Sequence, residues 1–334
     1  MEGIDFCVRK SIEYNRPIVI NLSFGNNYGA HNGSSLLENY INDISNFGRN
    51  NIVIGTGNEG TAGKHAGGIL SNTVEVIELA VGQYQFSFNL QLWKNFYDRF
   101  DVTIVSPSGT RVGPIPSRLG TQQFFIGPTE IYLYYGEPSP YNPQQQIYFE
   151  FIPRDNYVES GIWQIELTPI DIIVGNFDLW LPSGGVLSLD TRFLRPSEET
   201  TLTIPSTSFR AISVGAYDSQ TGSLAFFSGR GYTRGNDYIK PDLVAPGVNI
   251  ISCAPGGGYT SRSGTSMATP FVTGSAALMM EWGITEGNDP YMYGEKMRAY
   301  LIAGARELPI EFFYPNPVIG FGALCLRNTF LLTQ

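Results

Sequence analysis

Charge is scarce in this chain: Asp, Glu, Lys and Arg together make up 15% of 334 residues, histidine occurs twice and cysteine three times. Lys+Arg 21 against Asp+Glu 30 gives a formal charge of −9, and no basic cluster interrupts the rows. A partner with a phosphate backbone or an anionic bilayer surface is therefore not expected, which excludes nucleic acid and membrane from the anticipated partners. No apolar run approaches the roughly 18 to 20 residues of a membrane helix, and Met1-Glu2-Gly3-Ile4-Asp5 lacks the basic and apolar regions of a secretory leader. Cys7, Cys253 and Cys325 are odd in number and have no C-x-x-C spacing, so a disulfide framework and a zinc site are both excluded and buried free thiols are expected.

What the chain has in quantity is apolar and turn-forming material. Hydrophobic residues account for 42%, aromatics for 13%, and there are 38 glycines and 21 prolines. Disorder is excluded for the bulk of it, and a turn-rich, strand-rich globular protein follows, long enough for two ordinary domains or one large one. Ile4, Cys7, Val8, Ser11 and Ile12 fall at helical spacing, and Pro17 ends that pattern before the buried-strand run Ile18-Val19-Ile20-Asn21-Leu22. Ser35-Leu36-Leu37-Glu38 has the spacing of a capping box at the head of a second helix, and Asn51 to Gly55 reads as another buried strand. Strand, helix and strand with near-continuous apolar runs predict a three-layer α/β domain on a mostly parallel sheet.

Between about Asn72 and Pro205 the texture changes to alternating segments, such as Gln85 to Leu90, Phe100 to Val105 and Gln146 to Phe151, separated by Pro, Gly and Asn turns. This predicts an all-β sandwich, a jelly roll, inserted into the α/β domain. The expected boundaries are 1–71 for the first part of the α/β domain, 72–205 for the insertion, and 206–334 for the second part. Ala211 to Ala216 resumes the buried strands, and Met267 to Trp282 reads as an apolar helix buried nearly all round.

The chemistry gathers at Ser263-Gly264-Thr265-Ser266-Met267-Ala268-Thr269-Pro270, at the head of that helix. A serine beside the free N–H groups of a helix start has the positive end of the dipole next to its hydroxyl, where negative charge developing on a substrate oxygen is stabilised. Pro270 is expected in the first turn, where a missing N–H costs little.

Gly264-Thr265-Ser266-Met267-Ala268-Thr269-Pro270 resembles the nucleophile motif of the subtilisin-like serine proteases, the subtilases. Gly57-Asn58-Glu59-Gly60 is similar to the family's oxyanion-hole asparagine at a strand end, and Asn21-Leu22-Ser23-Phe24-Gly25 to its substrate-pairing strand edge. Val244 to Gly247 and Phe227-Ser228-Gly229 follow in the family's order. The resemblance implies Ser266 as nucleophile, Asn58 as side-chain oxyanion donor, and Ser23, Phe24, Gly25, Thr56 and Gly57 beside an extended protein or peptide substrate; it calls for no cofactor. The β insertion and the stretch from Glu281 to Ala305 resemble the clostridial Csp spore-germination proteases, a branch whose substrate is the precursor of a spore-cortex hydrolase. A spore or extracytoplasmic location follows from that resemblance alone.

One departure is large. The family supplies its Asp on an early strand and its His on the next helix, and neither motif is found in this sequence. His31 and His65 sit in polar, glycine-rich stretches and are expected to be hydrogen-bonding loop residues rather than catalysts. A serine without a base is a weak nucleophile, so this chain alone is expected to be nearly inert. An N-terminal segment supplying Asp and His would complete it; without that segment, apolar strand edges and the Ile4/Val8/Ile12 stripe are expected to be exposed. The alternative is a non-catalytic scaffold or regulator that acts by binding protein. Asp218, Asp237, Asp242 and Asp289 are read as turn or surface carboxylates, with no metal assigned. Trp93, Tyr132, Tyr134 and Trp163 are read as sandwich core, with a carbohydrate groove as the minority reading.

Overall fold

The structure is a computed structural model that describes residues 1–235, 238–309 and 313–333. It divides into two compact units, one comprising Met1–Asn26, His31–Thr61 and Glu199–Gln334, the other Asn27–Ala30 and Ala62–Glu198.

The first unit starts with α1 (Glu2–Glu13), β1 (Ile18–Leu22), α2 (Leu36–Ile44) and β2 (Asn50–Gly55). The capping box at Ser35 forms as its spacing predicts: the Ser35 hydroxyl accepts from the Glu38 N–H, and the Glu38 carboxylate accepts from the Ser35 N–H. β1 pairs in parallel with β2, with Ile20 opposite Ile52.

The second unit is built of strands: β3 (His65–Ile69), β4 (Glu75–Val81), β5 (Phe88–Asn95), β6 (Arg99–Val105), β7 (Arg111–Ile115), β8 (Gly120–Ile126), β9 (Thr129–Tyr135), β10 (Gln144–Pro153), β11 (Gly161–Asp171), β12 (Asn176–Trp180) and β13 (Arg192–Phe193). They form two antiparallel sheets, in the orders β3-β12-β5-β10-β9-β8 and β13-β4-β11-β6-β7. Inward residues of both, among them Leu90, Leu92, Phe149, Trp163, Ile165 and Leu167, share one core. Trp163 belongs to that core, whereas Trp93 and Tyr132 are half-buried and Tyr134 is exposed. The strand expected from Gln85 begins instead at Phe88. Gln85 is buried and uses its side chain as loop glue, its carbonyl accepting from the Ser188 N–H and the Thr191 hydroxyl. His65 is likewise no loop residue: it lies in β3, stacks on Trp180 and bonds Asp178 at 2.9 Å.

The chain then returns to the first unit with β14 (Ile212–Tyr217), β15 (Leu243–Pro246), the hairpin β16 (Ile250–Cys253) and β17 (Tyr259–Arg262), and the helices α3 (Thr265–Met280), α4 (Gly294–Ala303) and α5 (Leu326–Leu331). The parallel sheet has the order β1-β2-β14-β15, which leaves β1 at its edge. Strand periodicity divides β2 between the two faces. Ile52 and Ile54 join Ile4, Val8 and Ile41 on the side of α1 and α2, while Val53 joins Val214, Ala268 and Val272 on the side of α3. Each such fully buried aliphatic side chain contributes about 1.5 to 3 kcal/mol.

Three local expectations are corrected here. Ile4 and Val8 are buried against the sheet, and only Ile12 of that stripe is exposed. α3 is not covered all round: Phe271 and Leu278 are 43% and 52% exposed, on a face that the sheet does not reach. The three thiols are free, but Cys253 is exposed and Cys7 and Cys325 are only half-buried.

Behind the sheet, the buried Asp242 carboxylate accepts from Lys240 Nζ at 2.8 Å, Arg298 at 2.6 Å, and the N–H and hydroxyl of Ser213. Burial pushes the Lys240 ammonium down to about 8. Burial alone would push the Asp242 carboxyl up, but the two cations together hold it below the usual carboxylate range. Asp289 pairs with Lys296 and Asp218 closes a turn on the Gln220 N–H, while Asp237 lies outside the described residues. Among the described residues no group of three His, Cys, Asp or Glu could hold a metal ion, and no helix is long and apolar enough to cross a membrane.

Candidate active site

The site lies where β1 and β2 end and α3 begins, at the carboxyl edge of the parallel sheet, where open α/β sheets bind their ligands. Gly264 makes the turn into α3 with φ 155°, and its N–H donates to Gly247 at 2.8 Å. Ser266 stands half-buried on the first turn of α3, between the Thr265 N–H, which donates to Asn58, and the Met267 N–H, which donates to the Gly264 carbonyl at 3.0 Å.

Asn58 follows β2 at the end of a turn that requires glycine, since Gly57 holds φ 92° and a Cβ there would lie 2.4 Å from the Thr203 methyl. The Asn58 side-chain carbonyl accepts from the Thr265 N–H at 3.0 Å. The Thr265 hydroxyl ties the two segments further, accepting from the Gly57 N–H at 3.1 Å and reaching Asn58 Oδ1 at 3.3 Å. With its oxygen committed to the helix start, the exposed Asn58 presents its NH₂ as the remaining polar group.

On the other side, Ser23 and Ser266 exchange hydrogen bonds. The Ser266 hydroxyl donates to the Ser23 carbonyl at 3.2 Å, and the Ser23 hydroxyl donates to the Ser266 carbonyl at 3.2 Å. Pro270 explains the second bond. It stands in the second turn of α3 rather than the first, four residues after Ser266, so it cannot supply the N–H that the Ser266 carbonyl would otherwise receive.

The structure thus brings Ser266, Asn58, Ser23 and Gly57 together. Phe24 and Gly25 continue from Ser23 and are exposed. Thr56 is different: it is wholly buried, with its N–H on the Val214 carbonyl and its own carbonyl taken by the Thr203 N–H, so it carries Gly57 and Asn58 without offering a surface to substrate. A hollow of about 330 Å³ adjoins Ser266 and is walled by Ile250, Ile251, Ser252, Met267 and Phe271. Thr265, Thr203, Asn21 and Thr273 were not singled out from the sequence. Of these, Thr265 lies inside the serine motif and Asn21 opens the Asn21-Leu22-Ser23-Phe24-Gly25 element, whereas Thr203 and Thr273 carry no sequence signal.

A profile of the subtilase family matches residues 174–322. The solved structure of the Clostridium perfringens CspB protease superimposes with a TM-score of 0.93 at 41% identity, covering 99% of this chain and 69% of that one. The chain belongs to the subtilase family. The serine protease AprX of Bacillus subtilis (strain 168) is 39% identical over 153 residues, which is 40% of this chain and 32% of AprX. Subtilisin Savinase of Lederbergia lenta is 44% identical over 80 residues, 24% of this chain and 27% of its own. The fold of this subtilase is accordingly subtilisin-like, and its kinship is with serine peptidases.

Proposed function

We propose that this subtilase chain carries the nucleophile and oxyanion parts of a serine endopeptidase site, and that a segment outside this sequence supplies the base and its orienting carboxylate. The observation that carries the reading is the clamp of Asn58 on Thr265, one residue from Ser266. It turns an amide donor and the head of α3 toward the same small region, the arrangement that stabilises the oxyanion of acyl transfer. Ser266 would attack the scissile carbonyl while Ser23, Phe24, Gly25 and Gly57 flank an extended peptide.

The need for a second segment is supported by two features. The Ser266 hydroxyl rests on a main-chain carbonyl, while His31 Nδ1 lies 2.7 Å from the Leu202 carbonyl and His65 is paired with Asp178. The edge strand β1 is also flanked by a hollow of about 570 Å³ that Phe6, Cys7, Tyr14 and Ile18 help to line, and by one of about 250 Å³ that Val19, Ala277 and Met280 help to line. A strand added beside β1 would send alternate side chains into the two. We read the second unit as the jelly-roll insertion. Processing of a spore-cortex hydrolase precursor is the finer proposal, suggested by the likeness to CspB.

The test is fluorophosphonate labelling of Ser266, with Ser266→Ala as control, on the chain alone and after mixing with an N-terminal subtilase segment bearing Asp and His. Labelling confined to the mixture is the expected result. If the two pieces bind but no labelling occurs, the protease reading is overturned and the chain is a scaffold or regulator; the resting place of Ser266 Oγ on a carbonyl rather than a base favours that second reading.

A further inference from the structure

We infer that Thr273, Asn21 and Ser23 form a directional relay that positions the main chain of Ser266. It rests on the reading of Ser266 as the nucleophile. The Thr273 hydroxyl, two turns along α3, lies 2.9 Å from Asn21 Oδ1, with the Thr269 carbonyl at 3.0 Å as its second acceptor. The Asn21 amide nitrogen donates to the Ser23 hydroxyl at 2.8 Å, and that hydroxyl donates to the Ser266 carbonyl at 3.2 Å.

The direction follows from what each group can give. An asparagine amide can point either way and a hydroxyl can give or take, so the orientation seen here, with Oδ1 toward the Thr273 hydroxyl and Nδ2 toward Ser23, is the one that leaves the Ser266 carbonyl with a donor. Facing a donor, the Ser23 oxygen accepts and its single proton is left for Ser266. With the amide reversed, Ser23 would meet an acceptor, its proton would go to Asn21, and the Ser266 carbonyl, already deprived of a helical donor by Pro270, would lose its partner. The relay links the end of β1 to two successive turns of α3. It therefore holds the nucleophile's peptide unit at a point where the helix's own ladder is broken. Thr273 and Asn21 are positioning residues, and neither touches a substrate in this scheme.

The test uses a sequence peculiarity. Met267 is the only methionine preceded by serine, so carbonyl-¹³C serine with ¹⁵N methionine labels a single Ser266–Met267 peptide. Its carbonyl-carbon resonance reports whether the Ser266 carbonyl is hydrogen-bonded, in the full chain and without any activity. Ser23→Ala, Asn21→Asp and Thr273→Val are expected to move that resonance upfield, and the hydroxyl-keeping Ser23→Thr and Thr273→Ser to return it. In the mixture with the Asp/His-bearing segment, the first three variants are expected to slow phosphonate labelling by roughly threefold to tenfold, the worth of one hydrogen bond. An unmoved resonance in Ser23→Ala or Thr273→Val overturns the relay. A moved resonance with unchanged labelling overturns its role in positioning. If wild type does not label at all, the nucleophile reading fails, the positioning role falls with it, and the resonance decides only whether the hydrogen-bonded chain itself exists.

Discussion

The hydroxyl of Ser23 donates to the carbonyl of Ser266, and Pro270, four residues on, is the residue that leaves that carbonyl without a helical donor. The two features should therefore be energetically coupled. Pro270→Ala restores an N–H on an exposed face of α3 and is expected to raise unfolding stability by about 1 to 3 kcal/mol. Ser23→Ala should cost about 0.5 to 1.5 kcal/mol in the native background and close to nothing once Pro270 is alanine. A four-cornered urea-unfolding cycle measures that difference; strictly additive corners would show that the Ser23 bond does not replace the missing helical one.

The two ends of the Asn58 amide can be separated by substitution. Its oxygen caps the Thr265 N–H and its nitrogen faces outward. Asn58→Ala should lose about 1 kcal/mol of stability through the cap. Asn58→Asp keeps the acceptor, adds a favourable charge at the head of α3, and should be at least as stable as wild type. On the proposed oxyanion role, both should slow phosphonate labelling of Ser266 in the mixture with the Asp/His-bearing segment by about two to three orders of magnitude, because both lack the amide donor. Parallel urea melts and labelling rates test the split, and a reactive Asn58→Asp protein would remove Asn58 from the oxyanion role.

These relationships were unequally visible in the sequence. β1, β2 and the capped α2 announce themselves because their signals are local: an apolar run, or a serine and a glutamate three residues apart. Ser266 and Asn58 stand out because a long motif marks one and a strand end the other. Thr273 and Asn21 are 252 residues apart, and their meeting is a product of how α3 packs on β1. His65 was misplaced for a physical reason: its glycine-rich surroundings suggest a loop, but Gly67 and Gly68 are there because Asp178 and the Phe177 ring press against that strand. Pro270 lies only a few residues further into α3 than its motif suggests, yet that shift turns a harmless helix-start proline into one that leaves the Ser266 carbonyl without a helical donor.

Thr203 sets the spacing of the two segments that flank the candidate substrate groove. A Cβ on Gly25 would lie 2.1 Å from its hydroxyl, and one on Gly57 would lie 2.4 Å from its methyl. Gly25→Ala is expected to destabilise by about 1 to 3 kcal/mol through overpacking, and Gly57→Ala by more, since its positive φ adds backbone strain. Thr203→Ala should recover part of the first loss and less of the second. Thermal melts of the single and double variants decide this; equal recovery at both sites would mean that backbone strain at Gly57 contributes little.

Two buried carboxylates should give opposite pH signatures. Asp242, held below its ordinary range by Lys240 and Arg298 against the cost of burial, contributes stability that is present above its unfolded value of about 3.9 and is lost as pH falls through its lower folded value. Glu38 is raised, chiefly by burial, although Thr207 and Ser35 hydrogen-bond to it. Its folded state therefore binds a proton more tightly than the unfolded chain, and stability drains away as pH rises from below about 4.3 through the raised folded value. Glu38→Gln should flatten that second limb and leave the acid limb in place. Asp242→Asn should remove the Asp242 part of the acid limb and, by leaving Lys240 buried against a neutral amide, cost about 3 to 5 kcal/mol near neutrality. Urea unfolding at steps from about pH 2.5 to 7 reads both slopes, and an acid limb that persists undiminished in Asp242→Asn would assign it to other carboxylates.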